Sequence, residues 1–243
     1  MGTEIGLPDS RTVFLTGASS GIGRATALQL AREGHRLALC SRRVPLLESL
    51  VLQLKGGAAR HTVAPGDVTD PASVTAALDA AEAALGPLDT LLQVAGAAVF
   101  AKVEETTDDA WRRMLDANLT GLFYAVRAVV PRFRERRRGQ IVAVLSVSSR
   151  TAFPGCSAYT AAKFGALGFL ESVRAEVRAA GIHVSLILPG ATDTPIWDGL
   201  GEGWDRAKMM PASQVAAVIA SVLRDTGSGR VEEVRVMPAG GAL

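Results

Sequence analysis

The sequence has few of the residues that mark metal-binding, disulfide-stabilised or membrane-spanning proteins. The two cysteines, Cys40 and Cys156, form no Cys-x-x-Cys pair, and the three histidines, His35, His61 and His183, show no metal-ligand spacing. No apolar run approaches the roughly 18 residues of a membrane span, and the N-terminus lacks a charged-then-apolar signal. We therefore expect a cytoplasmic protein that holds no metal and does not contact a membrane.

A strong excess of charge is also absent. The formal net charge of +2 is too small to indicate a nucleic-acid or membrane partner. The one basic cluster, Arg132 to Arg138, stands where a long predicted helix should end, and cations are favourable near a helix C-terminus. We interpret this cluster as a solvated helix end in preference to a phosphate-binding patch.

What the sequence does contain is a regular alternation of short aliphatic or β-branched runs with longer amphipathic stretches, typical of a parallel sheet with crossover helices. The predicted strands are Thr12–Thr16, Arg36–Cys40, Arg60–Ala64, Thr90–Val94, Gln140–Ser146, His183–Leu188 and Val231–Met237. The predicted helices are Gly23–Glu33, Pro45–Lys55, Pro71–Leu85, Asp108–Arg137, Ser157–Ala180 and Ser213–Asp225. Because no linker or repeat interrupts the pattern, we predict one domain, residues 1–243. Its fold is α/β and Rossmann-type doubly wound, with a seven-stranded parallel sheet and helices on both faces.

The first predicted strand runs into a glycine-rich turn, Thr16-Gly17-Ala18-Ser19-Ser20-Gly21-Ile22-Gly23, and a helix follows. Glycines at these positions allow a tight turn and close approach of the backbone to a pyrophosphate, which would rest on the helix N-terminus. The spacing is Gly-x-x-x-Gly-x-Gly, whereas the dinucleotide fingerprint is Gly-x-Gly-x-x-Gly. The turn therefore predicts a dinucleotide site, with a purely structural turn as the alternative.

The end of the second predicted strand bears on which dinucleotide is used. An acidic residue there binds the ribose 2′-hydroxyl of NAD, whereas an arginine accommodates the 2′-phosphate of NADP. The residues are Ser41, Arg42 and Arg43, which supply two guanidinium groups and no carboxylate. They favour NADP(H) over NAD(H), unless the arginines merely begin a helix in solvent.

Three further positions have open interpretations. Asp67 follows the third strand, where it could accept from an adenine amino group or cap the next helix, although Asp70 is better placed for the cap. Ala95 and Gly96 allow close approach of backbone to a ligand, or simple close packing. Asn118 lies inside a helix pattern, where Asn is unfavourable; it has a specific role or marks a helix bend with a bound water.

Tyr159 and Lys163 are four residues apart and share one face of a predicted helix, with Ser146 upstream. An ammonium close to a phenol lowers the phenol pKa from near 10 towards neutrality, which suits proton exchange with a carbonyl oxygen. Taken alone, Tyr-x-x-x-Lys is far more typical of an ordinary surface helix, because short motifs have many false positives. The rest of the chain decides between these two interpretations.

Together, the glycine turn, Asn118, Ser146 and the Tyr159/Lys163 pair resemble the short-chain dehydrogenase/reductase family, in its compact single-domain branch. The resemblance implies that Tyr159 exchanges the proton, that Lys163 binds the nicotinamide ribose and lowers the Tyr159 pKa, and that Ser146 stabilises the substrate oxygen. It also implies that Asn118 holds a water of a proton relay.

The residues expected to contact the cofactor are Gly17, Ser19, Ser20, Gly21, Ile22, Gly23, Ser41, Arg42, Arg43, Asp67, Val68, Ala95, Gly96, Tyr159, Lys163, Pro189, Gly190, Thr192 and Thr194. The substrate pocket is expected beyond the carboxyl ends of the strands, in residues 98–100, 147–156 and 191–210. Ser148, Cys156 and Trp197 are its candidate substrate contacts. Trp197, Trp204 and the neighbouring methionines form an adaptable apolar wall or pack the loop against the body.

The chain departs from the family pattern in three places. Val94 stands where the family usually has asparagine, which puts the stability of the following loop in doubt. Ser20 replaces a basic residue common in NADP-using members, which weakens the NADP prediction. The chain ends Met237-Pro238-Ala239-Gly240-Gly241 instead of the Asp-Gly-Gly of typical 3-oxoacyl reductases.

We therefore expect an NADP(H)-dependent enzyme that interconverts a small apolar ketone and a secondary alcohol. A 3-oxoacyl thioester reductase is the alternative enzyme, and a non-catalytic dinucleotide sensor is the alternative from another class. By analogy with the family, we expect a homotetramer or a dimer.

Overall fold

The computed structural model describes residues 10–201, 203–224 and 229–241. Its strands are β1 (Thr12–Thr16), β2 (Arg36–Cys40), β3 (His61–Val63), β4 (Thr90–Gln93), β5 (Gly139–Val144), β6 (Ile182–Pro189), β7 (Thr192–Asp193), β8 (Met210–Pro211) and β9 (Glu233–Val236). Seven of them form one sheet in the order β3-β2-β1-β4-β5-β6-β9, with every pairing parallel. The short β7 and β8 pair with each other beside it.

Helices cover both faces of the sheet. They are α1 (Gly21–Arg32), α2 (Val44–Gln53), α3 (Pro71–Leu85), α4 (Asp108–Leu115), α5 (Gly121–Arg136), α6 (Ser157–Val177) and α7 (Ala212–Leu223). Because side chains alternate along a strand, Val13 and Leu15 of β1 pack with α1, α2 and α7, and Phe14 packs with α3, α5 and α6. Burial on both faces explains the almost uninterrupted apolar strands. The predicted doubly wound fold is confirmed.

The element bounds agree closely with the sequence patterns. Thr12–Thr16, Arg36–Cys40 and Pro71–Leu85 have the predicted bounds, and the other strands shift by one or two residues at an end. The predicted helix Ser213–Asp225 is observed as α7, and Asp225 lies outside the described residues. Residues 1–9, 202, 225–228 and 242–243 of the predicted domain also lie outside them.

The prediction of one continuous helix over Asp108–Arg137 is wrong. A π-helical turn, Asp116–Thr120, separates α4 from α5 and contains Asn118. Such wide turns occur mostly as single turns inside α-helices, frequently at functional sites. A periodicity of 3.6 residues cannot reveal the extra residue that this turn accommodates, because both flanking segments keep the helical pattern.

The predicted solvated end of α5 is correct only in part: Arg134 and Arg137 are exposed, whereas other arginines of the cluster form ion pairs. Arg132 forms ion pairs with Asp79 and Glu82 of α3, both at 2.7 Å, and Arg138 pairs with Asp89 at 3.2 Å. The basic cluster therefore joins α5 to α3 and to the start of β4, which accounts for its charge without a phosphate ligand. Within the described residues, no helix has the length and apolar character needed to cross a bilayer.

Candidate active site

A cavity of about 680 Å³ opens beyond the carboxyl ends of the strands. The strand order reverses between β1 and β4, and doubly wound sheets bind ligands in the crevice at this switch point. All the residues assigned to the site from the sequence line this one cavity, from Gly17 at the first turn to Trp197 in the segment after β6. The fold therefore brings together side chains that are far apart in the sequence.

The glycine turn has the shape that a bound pyrophosphate requires. Gly17 and Gly21 adopt positive φ angles of 68° and 51°, and a Cβ on Gly17 would lie 2.7 Å from the backbone nitrogen of Ala95. A Cβ on Gly23 would overlap the carbonyl oxygen of Gly17. Helix α1 begins at Gly21, and the side chain of Ser20 forms no cap hydrogen bond. The backbone N–H groups of the first turn can therefore donate hydrogen bonds to an anionic ligand.

Thr16 stabilises the loop after β4, a role that the sequence analysis missed. The buried Thr16 hydroxyl donates to Oε1 of Gln93 at 2.8 Å and accepts from the backbone nitrogens of Val94 and Ala95 at 3.1 and 3.2 Å. These bonds join β1 to the loop at the switch point. They stabilise the loop whose stability was in doubt because Val94 replaces the usual asparagine. They could be found only once β1 and β4 were known to be neighbours.

The two arginines after β2 take different positions. Arg43 extends back to the glycine turn, where Nη2 donates to the hydroxyls of Ser19 and Ser20 at 2.8 and 2.7 Å. Arg42 is exposed and lies 3.5 Å from the carboxylate of Asp67. Both residues line the cavity and both are exposed, and α2 begins directly after Arg43.

The sequence left two roles open for Asp67, that of a cap for the next helix and that of an acceptor in the cofactor site. Asp70 caps α3 by accepting from the backbone nitrogen of Ala72 at 2.9 Å. Asp67 Oδ1 accepts from the backbone nitrogen and hydroxyl of Thr69, at 2.9 and 2.8 Å. Burial raises the pKa of Asp67, but the bonds from Thr69 and the Arg42 guanidinium outweigh burial and lower it overall. Asp67 is thus a charged acceptor on the cavity wall.

Asn118 connects the π-helical turn to the loop after β4. Its Nδ2 donates to the carbonyl oxygens of Ala97 at 2.9 Å and Met114 at 3.1 Å, and its Oδ1 accepts from the backbone nitrogen of Ala97 at 3.3 Å. A Cβ on Gly96 would lie 2.7 Å from that Oδ1. Asn118 therefore has a visible structural role, which holds the backbone that lines the cavity.

Tyr159 and Lys163 lie on one face of α6 and both face the cavity, with the Lys163 ammonium 5.6 Å from the Tyr159 ring centroid. Ser146 follows β5 and lines the same cavity, and its hydroxyl accepts from the backbone nitrogen of Ser148 at 3.1 Å. Cys156 and Ser148 are buried beside them. Burial raises the pKa of the Cys156 thiol, which fits a packing residue better than a nucleophile.

The expected lowering of the Tyr159 pKa is not found in this structure. Burial raises the pKa of Tyr159 above its usual value of 10, and a hydrogen bond from the Ser146 hydroxyl only partly opposes this effect. Burial also lowers the pKa of Lys163 to about 8, so this amine loses part of its charge near neutral pH. Desolvation of both side chains thus dominates the two pKa values.

An aromatic wall (Phe100, Trp197 and Trp204) stands above Tyr159. The Phe100 ring packs edge-to-face against Tyr159, Trp197 and Trp204, with centroids 5.9, 6.0 and 5.8 Å apart, and the two tryptophans are 4.9 Å apart. Phe100 lies in the predicted pocket range but was not singled out from the sequence. Its central position depends on the approach of the loop after β4 to the segment after β6.

The chain is similar to two curated proteins in sequence and to one solved structure in fold. The chain is 34% identical over 239 residues to a glycine betaine reductase of Emericella nidulans, covering 94% of this chain and 19% of that much longer protein. It is 36% identical over 191 residues to a 2-dehydro-3-deoxy-L-rhamnonate dehydrogenase (NAD(+)) of a Sphingomonas species, covering 78% and 75%. The structure of an alcohol dehydrogenase from Thermococcus sibiricus, complexed with 5-hydroxy-NADP, has the same fold, with a TM-score of 0.86 at 24% identity, covering 95% and 97%.

The sequence profile of short chain dehydrogenases matches residues 11–204, which include the glycine turn, Asn118, Ser146, Tyr159 and Lys163. Members of this family are oxidoreductases that bind a nicotinamide dinucleotide and act on alcohol or carbonyl groups. Profile, fold and cavity agree on one identity: the chain belongs to the short chain dehydrogenase family.

Proposed function

We propose that this protein is an NADP(H)-dependent oxidoreductase that interconverts a ketone and a secondary alcohol. The observation that carries the proposal is the convergence of Ser146, Tyr159 and Lys163 on one cavity with the glycine turn. A non-catalytic dinucleotide sensor would need the turn but not a buried phenol beside a buried amine. The experiment is a panel of ketones and alcohols scored by nicotinamide absorbance, and absence of turnover across the panel would contradict the proposal.

When bound, the dinucleotide supplies or accepts the hydride. In the reductive direction Tyr159 gives its proton to the substrate oxygen, and in the oxidative direction it takes the proton back. Ser146 donates to the same oxygen and stabilises the negative charge that develops on it. Lys163 would hold the nicotinamide ribose, and Asn118, which fixes the backbone around Ala97, would hold a water that returns protons to Lys163.

The preference for NADP(H) rests on Arg42 and Arg43. Both line the cavity at the end of β2, where a 2′-phosphate would lie, and no carboxylate follows β2 directly. Asp67 is already engaged by Arg42 and Thr69. One relative carries NAD(+) in its name, so the family alone does not decide the preference and these side chains must.

Replacing Arg42 or Arg43 by alanine is expected to weaken NADPH binding by about 10- to 100-fold, since hydrogen bonds to charged groups contribute about 1.5–3 kcal/mol. NADH binding should change less than about threefold, because NADH has no 2′-phosphate. Isothermal titration of both nucleotides against each variant measures the effect.

Arg24→Ala is the matched control, because it removes the same charge from the exposed face of α1 outside the cavity wall. Its ratio of NADPH to NADH affinity should equal that of the unmodified protein. Equal losses for NADPH and NADH in the Arg42 and Arg43 variants would contradict the assignment and favour NAD(H).

We further propose a homotetramer. Aromatic side chains remain exposed on the outer faces of two long helices: Phe123 of α5 is 36% exposed and Phe164 of α6 is 44% exposed. Burying these rings between subunits would be favourable. Light scattering should give about four times the chain mass of 25.3 kDa, and a monomeric mass would reject the assembly.

A further inference from the structure

The side of the cavity next to Tyr159 has almost no charge. Of the described lining residues, those with charged side chains are Arg42, Arg43, Asp67 and Lys163. The first three follow β2 and β3, whereas Ser146 follows β5, three strand spacings or roughly 14 Å from β2. Lys163 lies below the Tyr159 ring. A positively charged group on the substrate would therefore lose water next to this wall without gaining a counter-charge.

The aromatic wall is held in place by bonds that do not involve a ligand. The indole nitrogen of Trp197 donates to the carbonyl oxygen of Thr192 at 2.8 Å, and that of Trp204 donates to Leu200 at 3.0 Å. Arg206 bonds to Asp193 at 2.6 Å and to Asp198 at 2.7 Å, on either side of Trp197. With their polar edges satisfied, the indoles offer apolar surface to whatever binds.

Spacing of the rings distinguishes an apolar wall from a cage for a cation. A cation on an aromatic face sits within about 6 Å of the ring centroid. Rings that enclose a cation must therefore leave room for it between them, so their centroids lie farther apart than those of two rings in direct contact. Here the rings touch one another, with centroids 4.9 to 6.0 Å apart in edge-to-face or tilted pairs. This packing is the arrangement that aromatic rings adopt with each other, and a further ring can extend it.

We propose that the substrate carries no positive charge and has an aromatic ring next to its carbonyl or carbinol carbon, and that Phe100, Trp197 and Trp204 recognise that ring. This inference rests on the proposed function for the reacting group, but it names what the wall selects. A substrate aryl group would join the edge-to-face cluster directly above Tyr159, which brings the adjacent oxygen to Tyr159 and Ser146. Groups with a formal positive charge are selected against.

Two pairs of alcohols test the proposal. Choline and 3,3-dimethylbutan-1-ol have nearly the same shape and differ in charge, and 1-phenylethanol and 1-cyclohexylethanol differ in aromaticity. Binding in the presence of NADPH is followed by tryptophan fluorescence in a Trp111→Phe background, which leaves Trp197 and Trp204 as the emitters among three tryptophans. Turnover of the secondary alcohols is followed separately with NADP⁺.

The neutral alcohol, 3,3-dimethylbutan-1-ol, is expected to bind at least about 100-fold more tightly than choline, because an unpaired buried ion costs several kcal/mol. The phenyl compound is expected to bind several-fold better than the cyclohexyl compound, as an aromatic pair adds about 0.5–1.5 kcal/mol beyond burial. Phe100→Leu should abolish the phenyl preference. Phe153→Leu, which changes a ring of the same cavity outside the wall, should reduce it less.

Choline binding as tight as its neutral counterpart would show a cation cage and overturn the proposal. So would an unchanged phenyl preference in Phe100→Leu, or equal losses in the Phe100 and Phe153 variants. If the alcohols bind as expected but none is oxidised and no ketone is reduced, the proposed function fails while the recognition of the ring stands. The two conclusions are therefore tested separately.

Discussion

Tyr159→Phe is expected to lower turnover about 10²- to 10⁴-fold, the usual contribution of a positioned general acid or base, with dinucleotide affinity nearly unchanged. The substitution removes one hydroxyl and keeps the ring that packs against Phe100. Steady-state kinetics with the best substrate of the panel, together with a titration of NADPH, measure the two quantities. Unchanged turnover would eliminate the acid–base role and leave the sensor as the remaining function.

Tyr124→Phe provides a matched control, because the chain has two tyrosines and Tyr124 lies on α5 outside the cavity wall. The pH profile adds a second readout. Since burial raises the pKa of Tyr159, the phenol keeps its proton at neutral pH and is ready to donate it in reduction. Oxidation needs the phenolate, so its rate should rise with pH into the alkaline range. This rise should be absent in the phenylalanine variant.

Lys163→Met is expected to stabilise the nucleotide-free protein at pH 7 while abolishing turnover. Lys163 is 5% exposed, and its pKa falls from 10.5 in the unfolded chain to about 8 through burial. The difference corresponds to about 3 kcal/mol at pH 7, which the folded state loses by holding a buried ammonium. Methionine fills much of the space without this cost.

The pH dependence follows from the direction of the shift. Between about pH 8 and 10.5 the unfolded chain binds the Lys163 proton and the folded protein does not, so the free energy of unfolding rises with pH. The advantage of Lys163→Met is therefore present below pH 8 and disappears as the pH approaches 10.5. Urea unfolding at several pH values measures it, with Lys55→Met as an exposed control. Parallel curves for wild type and Lys163→Met would contradict the buried-charge interpretation.

The sequence predicted the sheet because strands and helices differ in period and because the strands are buried on both sides. The glycine turn could also be predicted, because glycine adopts the positive φ angles found at Gly17 and Gly21 without the steric cost that other residues have. The membership of Ser146, Tyr159 and Lys163 in one site came from spacing shared with a family.

Two features could not be predicted from the sequence: the contacts across the switch point, and whether burial or a neighbouring charge has the larger effect on the Tyr159 pKa. The anchoring of the loop by Thr16 requires β1 and β4 to be neighbours, and the central position of Phe100 requires two distant loops to meet. The direction of the shift in the Tyr159 pKa depends on how deeply Tyr159 and Lys163 are buried. A four-residue spacing in the sequence contains no information on that burial.

The π-helical turn beside the site sets a constraint on how the gene can change. Each α-helical residue advances by about 100°, so the additional residue in Asp116–Thr120 offsets the phase of α4 from that of α5. Deleting one codon here would restore an uninterrupted helix but would rotate the Asn118 amide away from Ala97 and Met114. Length variation between homologous proteins should therefore collect in the loop before α4, and leave this segment with a constant number of residues.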